Sequence, residues 1–354
     1  MHDGVMGSIA ASWQRTRRAE QIIAAIARKD LDALRTLARA PGGFMLDRLR
    51  RLAWPVLLHT QHGCYVDEKG SEKDLADPSQ ISKDVERSLY YYPRGVSPTL
   101  KAHMQQELHQ MIVEVLWRNP TLKYYQGFHD ICSCFLLVLG KKDAIPAAEN
   151  VALFFLRDGM LDSFDPVSKQ LRLMSSIVQY EDPELTAHLE RCNLMPYYAL
   201  SWVLTWFSHD IACFDKVARL FDLFISSTPL MPIYVSSAIT LLRRDELLKA
   251  DADVLHSLIT HVPRTLDVEQ TVTRACELEA RYPALALQKR SGLWLHDSSP
   301  VNRYDEDWTH LRWGDVPDRL RADSYLGEHV TKEEWEDDML EIWAAERDNI
   351  LHRM

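Results

Sequence analysis

Apolar residues recur at intervals of three and four along most of the chain, the spacing that lines one side of an α-helix. Phe44, Leu46, Leu49, Leu52, Ala53, Val56 and Leu57 follow it, as do Val217, Leu220, Phe221 and Phe224 within the stretch 211–225. No segment alternates apolar and polar positions convincingly, as a half-buried strand would. Prolines at 93, 98, 120, 146, 166, 183, 196, 229, 232, 263 and 283 are read as lying between these stretches or in their first turns, where the missing N–H costs least. The pattern predicts an all-α fold of about a dozen or more helices with no significant β-sheet.

Three regions follow from the same pattern. Residues 1–40 read as an N-terminal helical extension that stops at the turn signal Pro41-Gly42-Gly43. Residues 41–286 carry the dense apolar periodicity and form the main domain. From 287 the chain turns polar, with Ser291-Gly292, Ser298-Ser299-Pro300 and Asn302, and reads as a surface linker to about 318. It ends in an amphipathic helix over 332–354, with Trp335, Met339, Ile342, Trp343 and Ile350 on one side and acidic residues in the first turns, where they complement the helix dipole. That stripe is read as docking on the main domain, with a partner-binding face as the alternative.

Composition narrows the partners. With 46% hydrophobic and 26% charged residues the chain is ordinary for a folded protein, and a formal charge of −10 argues against nucleic acid and against an anionic membrane face. The six cysteines, Cys64, Cys132, Cys134, Cys192, Cys213 and Cys276, are scattered without paired Cys-x-x-Cys spacing, which suits a reducing compartment. No window reaches the roughly twenty apolar residues of a membrane span; 230–242 comes nearest and is interrupted by Pro232, Ser236, Ser237 and Thr240. A soluble protein facing the cytoplasm is expected.

The candidate chemistry rests on two side chains that do not titrate near neutrality. Arg87 follows Asp84 by three residues, close enough for an ion pair on one helical face, and Ser88 to Tyr92 are read as continuing that helix to Pro93. Gln126 lies in Tyr124-Tyr125-Gln126-Gly127, after the break at Asn119-Pro120 and before the apolar run 128–139. A guanidinium stays protonated and a carboxamide does not ionise, so shared chemistry between them is charge stabilisation and water positioning. Taken singly, Arg87 reads as a surface ion pair and Gln126 as a capping amide.

Together they resemble a known pattern. Ile81, Asp84 and Arg87, followed by Tyr124, Gln126 and Gly127, resemble the two signature motifs of the TBC-domain family of Rab GTPase-activating proteins, I-x-x-D-x-x-R and Y-x-Q-G. Arg50, Trp54, Leu57 and Leu58 match a third motif, and 199–207 and 220–224 resemble later helical segments, so the resemblance covers about 41–286. Ser88, where many members have threonine, and Phe221, where tryptophan is commoner, depart from the pattern conservatively.

The resemblance implies a multi-helix TBC domain that acts on a Rab-family small GTPase in its GTP state. Arg87 would be an arginine finger and Gln126 a glutamine finger, both supplied in trans, with GTP and Mg2+ bound by the Rab and no cofactor of the chain's own. Asp84 would fix the Arg87 stem, Gly127 would let Gln126 approach the nucleotide, Trp54 and Tyr124 would brace the supporting helices, and Arg50 would form a structural ion pair. The runs 124–131 and 229–234 look closest to a branch of the family that implies anchoring at the endoplasmic reticulum and the Rab acting between reticulum and Golgi. The C-terminal membrane anchor implied by that branch is absent from these 354 residues.

Two other readings remain in view. One is a catalytically silent Rab-binding module, against which the presence of both fingers counts. The other is a metal site on His129, Cys132 and Cys134, with Asp130; helical offsets of three and five do not converge, and buried thiols serve as small hydrophobes. No nucleophile elbow, P-loop or dinucleotide glycine pattern occurs.

Overall fold

The computed structural model describes residues 2–60 and 78–325, with side chains from residue 15 onward. The terminal helix expected over 332–354 lies outside the described residues. Within them are eighteen α-helices and no strand. The chain begins with α1 (His2–Ala27), α2 (Leu31–Arg39) and α3 (Asp47–Leu57). After the undescribed stretch come α4 (Pro78–Arg87), α5 (Pro98–Arg118), α6 (Phe128–Leu139) and α7 (Lys141–Phe154). A second group comprises α8 (Asp165–Glu181), α9 (Pro183–Arg191), α10 (Leu200–Leu204), α11 (Phe214–Phe224) and α12 (Met231–Leu242). The described chain ends through α13 (Arg244–Lys249), α14 (Ala252–Ile259), α15 (Val268–Arg281), α16 (Ala284–Ser291), α17 (Pro300–Tyr304) and α18 (Arg319–Ser324).

Local sequence explains most boundaries. Asp30, Ser97, Asp182, Asp251 and Asp267 each stand just before a helix and accept an N–H of its first turn, satisfying donors that have no partner inside the helix. Pro98 and Pro183 occupy first positions, where a fixed φ is already helical. Pro146 departs from the expectation: it lies in the second turn of α7 rather than at a break. It is buried there among residues that are almost all buried, so packing outweighs one missing backbone bond.

The core is aromatic at its centre. Trp54 of α3 lies edge-on to Phe135 of α6 at 5.7 Å and stacks on Phe221 of α11 at 6.0 Å. Phe221 in turn meets Trp206 at 5.3 Å, and Phe155 links Trp206 to Trp308 at 6.2 and 5.2 Å. Such pairs add to the burial of area by holding ring orientations.

Trp308 overturns the surface linker expected over 287–318. It is 1% exposed, and Gln288, Leu295, Ser298, Ser299, Val301 and Tyr304 are buried with it. The segment's polarity misled because its polar groups bond inward: Gln288 Oε1 accepts Leu295 N–H at 2.9 Å, and Asn302 Nδ2 donates to Leu295 O at 3.1 Å. A buried polar group that is fully bonded costs little, and a few apolar anchors then suffice.

Candidate functional site

The spacing Ile81, Asp84, Arg87 places three residues on one side of α4, graded from core to solvent. Ile81 and Asp84 are each 1% exposed, whereas the Arg87 side chain is 58% exposed. An isolated carboxylate at that depth would be costly, and Asp84 is accordingly surrounded by donors. Its Oδ1 accepts Arg87 Nη2 at 2.7 Å and Gln80 Nε2 at 2.9 Å. Its Oδ2 accepts the Tyr124 hydroxyl at 2.8 Å, with His129 Nδ1 3.8 Å away.

The helix ends at Arg87, not at Pro93 as the sequence suggested. Leu89 takes a positive φ of 56°, and the terminal carbonyls find other partners. Gln105 of α5 donates through Nε2 to Val85 O at 3.1 Å and Glu86 O at 2.9 Å, and Ser88 Oγ bonds Val85 O at 2.6 Å. Arg87 therefore stands on the last turn of a helix whose end is capped from the side. Gln105 was invisible to sequence reasoning, since a lone glutamine on a polar helical face carries no signal.

Gln126 is positioned by its neighbours. Tyr124 reaches Asp84 on one side, and the Tyr125 hydroxyl donates to Leu204 O at 2.7 Å on the other. Burial, reinforced for Tyr124 by Asp84, holds both phenols well above their usual range, so they act as fixed donors. Gly127, at φ 118°, turns the chain into α6 in a left-handed geometry that a side chain would strain. Half-buried Gln126 thus lies between two anchored tyrosines and a glycine hinge. Arg87 and Tyr124, 37 residues apart in the chain, converge on the one carboxylate of Asp84.

From Tyr124, whose hydroxyl is 3.4 Å from His129 Nδ1, histidines and a carboxylate alternate. His129 Nε2 is 3.5 Å from Asp130 Oδ1, and Asp130 Oδ2 is 3.1 Å from His209 Nδ1. Burial alone would favour neutral forms, but the two histidines hold the Asp130 carboxyl below the usual carboxylate range. His209 moves the other way: burial opposes its charge, the bond to Asp130 and the nearby Asp210 outweigh it, and the Arg87 cation offsets part of the gain. Burial pushes Asp210 up to about 6. The sequence signal for this line was the adjacent pair His129 and Asp130 at the start of a largely apolar run, and nothing in it pointed to His209.

Arg50 and Trp54 belong to a different centre. Arg50 Nε lies 3.1 Å from Asp222 Oδ1, its Nη2 lies 3.1 Å from Oδ2, and its Nη1 bonds Asp47 at 2.8 Å. Trp54 Nε1 donates to Asp222 Oδ1 at 2.7 Å, and Phe44 N–H to Oδ2 at 3.0 Å. A Cβ at Gly43 would sit 2.5 Å from that carboxylate, so glycine is needed for the approach. Trp54 touches α6 through Phe135, and Arg51 Nε bonds Val138 O at 2.8 Å, which ties α3 to the helix that follows Gln126. Cys132 and Cys134 are fully buried, and burial raises both thiols well above their usual range, as suits small hydrophobes.

The sequence pattern described as the Rab-GTPase-TBC domain matches residues 47–248. TBC1 domain family member 20 of Bos taurus is 36% identical over 266 residues, covering 74% of this chain and 66% of that protein. GTPase-activating protein gyp10 of Schizosaccharomyces pombe is 32% identical over 275 residues, 75% of this chain and 73% of that protein. Thus the chain spans just under two thirds of the bovine relative's length. Among solved structures, the Ypt/Rab-GAP domain of Gyp1p superposes with a TM-score of 0.57 at 16% identity, covering 74% of this chain and 99% of that one. The Chlamydomonas flagellar RabGAP TBC domain gives 0.58 at 16% identity, covering 74% and 92%.

Proposed function

The chain belongs to the Rab-GTPase-TBC domain family, and we propose that it accelerates GTP hydrolysis by a Rab GTPase, supplying Arg87 and Gln126 in trans. The observation that carries this reading is the state of Arg87: its side chain is more than half exposed, yet a buried carboxylate bonded by several donors grips it. An arginine that only paired with Asp84 would gain nothing from that exposure. One that must reach a phosphate oxygen of another molecule needs both a fixed stem and an open face.

In this reading Arg87 neutralises charge that builds on the transferring phosphoryl group, and the Gln126 carboxamide orients the attacking water. Asp84 and Tyr124 hold the two at fixed separation, so little ordering remains when the partner docks. The GTP and Mg2+ belong to the Rab in its GTP state. The runs 124–131 and 229–234 further support the Rab acting between the endoplasmic reticulum and the Golgi as the partner, and a place for the chain on the cytoplasmic side of that membrane.

Phosphate release from a panel of GTP-loaded Rab proteins tests this. The early secretory Rab is expected to respond most, with stimulation lost by roughly 10³-fold or more in Arg87→Ala and by about 10²–10³-fold in Gln126→Ala. Undiminished stimulation by Arg87→Ala would overturn the two-finger mechanism, and no stimulation of any GTPase by the wild-type chain would show a binding module rather than a catalyst. Preference for another Rab would overturn the choice of partner alone.

A further inference from the structure

The loop that carries Gln126 is held from behind by the end of the described chain, outside the matched region 47–248. One contact is direct: Thr121 Oγ1 donates to the Asp323 carboxylate of α18. A second runs through the short helical turn 157–160. Lys123 N–H donates to Met160 O at 2.8 Å, and a Cβ at Gly159 would stand 3.8 Å from the Tyr125 ring, so this turn is the floor under the loop.

That floor is in turn clamped by the late segment. Arg157 Nη2 donates to Ser298 O at 2.5 Å, and the Arg157 guanidinium lies over the Tyr325 ring, 4.9 Å from its centre. Ser299 Oγ donates to Asp158 Oδ2 at 2.6 Å beside Gln170 Nε2 at 2.8 Å. Arg157 and Asp158 are 1% and 2% exposed, so their partners cannot be replaced by water without opening the structure. By contrast α4, which bears Arg87, packs on α5 and α6.

We propose that residues 298–325 are a positioning element for the Gln126 loop, acting through Asp323 on Thr121 and through Ser299 on the Arg157–Asp158 turn. The late segment is therefore part of the functional unit, and its contacts fall on the loop of one finger rather than on the helix of the other. The kinetic consequence rests on the role proposed above for Gln126; the mechanical one does not.

The test uses the full chain with Asp323→Ala and Ser299→Ala, read by amide hydrogen exchange and by kinetics of stimulated GTP hydrolysis. Exchange over 122–127 is expected to quicken about tenfold while 81–87 is unchanged. The stimulated kcat should fall roughly tenfold at constant KM, because the loop is misplaced and the docking surface is not. Asp323→Asn, which keeps an acceptor for Thr121, should restore both. Unchanged exchange over 122–127 in both alanine variants would overturn the proposal, and so would a uniform rise that includes 81–87. If the loop quickens as expected but the wild-type chain stimulates no GTPase, the positioning stands and the finger reading fails.

Discussion

Two buried carboxylates in this molecule each hold an arginine, and they do opposite things with it. Asp222 is fully buried and takes Arg50 by two nitrogens, while Trp54 and the Phe44 N–H complete its shell; the Arg50 side chain is 4% exposed. Asp84 is equally buried but takes Arg87 by one nitrogen and leaves that side chain 58% exposed. In the first centre the guanidinium's donors are consumed inside the fold. In the second the carboxylate is satisfied largely by others, Gln80 and Tyr124, so the arginine is steadied without being used up. The difference separates an ion pair that builds the domain from one that presents a cation.

The comparison breaks most sharply if the two arginines are exchanged for alanine in turn. Arg87→Ala should remove roughly 4–7 kcal/mol of barrier lowering, the worth of an arginine finger, in the phosphate-release assay, with a smaller loss of stability than Arg50→Ala because Gln80 and Tyr124 still bond the Asp84 carboxylate. Arg50→Ala should do the reverse, costing about 3–5 kcal/mol in urea unfolding, since it strands the Asp222 carboxylate in the core. A stable Arg50→Ala protein would erase the distinction.

A smaller effect is expected from Tyr124→Phe, which takes one donor from Asp84 Oδ2. A bond to a charged, buried acceptor predicts a loss of roughly 1.5–3 kcal/mol, read in the same unfolding experiment. A loss near zero would mean that Asp84 depends on Arg87 after all.

The smallest effect belongs to His209. Its folded pKa is raised, because Asp130 outweighs the burial that opposes its charge, so its contribution is full below the ordinary histidine value and fades as pH rises through the folded one. Asp130 stays ionised across that window, and Asp210 titrates lower, at about 6. The stability advantage of wild type over His209→Gln should therefore be about 1 kcal/mol or less near pH 6.5 and shrink toward pH 8.5. An advantage that grows with pH would reverse the assigned pairing.

The helical periodicity and the motif residues were readable along the chain, because each lies within a short window of sequence. The continuation of α4 to Pro93 was misread because a side chain of α5, Gln105, closes the helix end. The stretch 287–318 was misread because inward hydrogen bonds resemble surface polarity when only composition is seen.

The sequence by itself determined that this protein is a bundle of helices, since local spacing suffices for that, and it marked an arginine and a glutamine as candidates through their resemblance to the two TBC signature motifs. Only the tertiary structure decided that Arg87 is presented while Arg50 is enclosed, and that the end of the described chain supports the Gln126 loop. Burial and the sharing of one carboxylate among distant donors are properties of packing, and no window along the chain contains them.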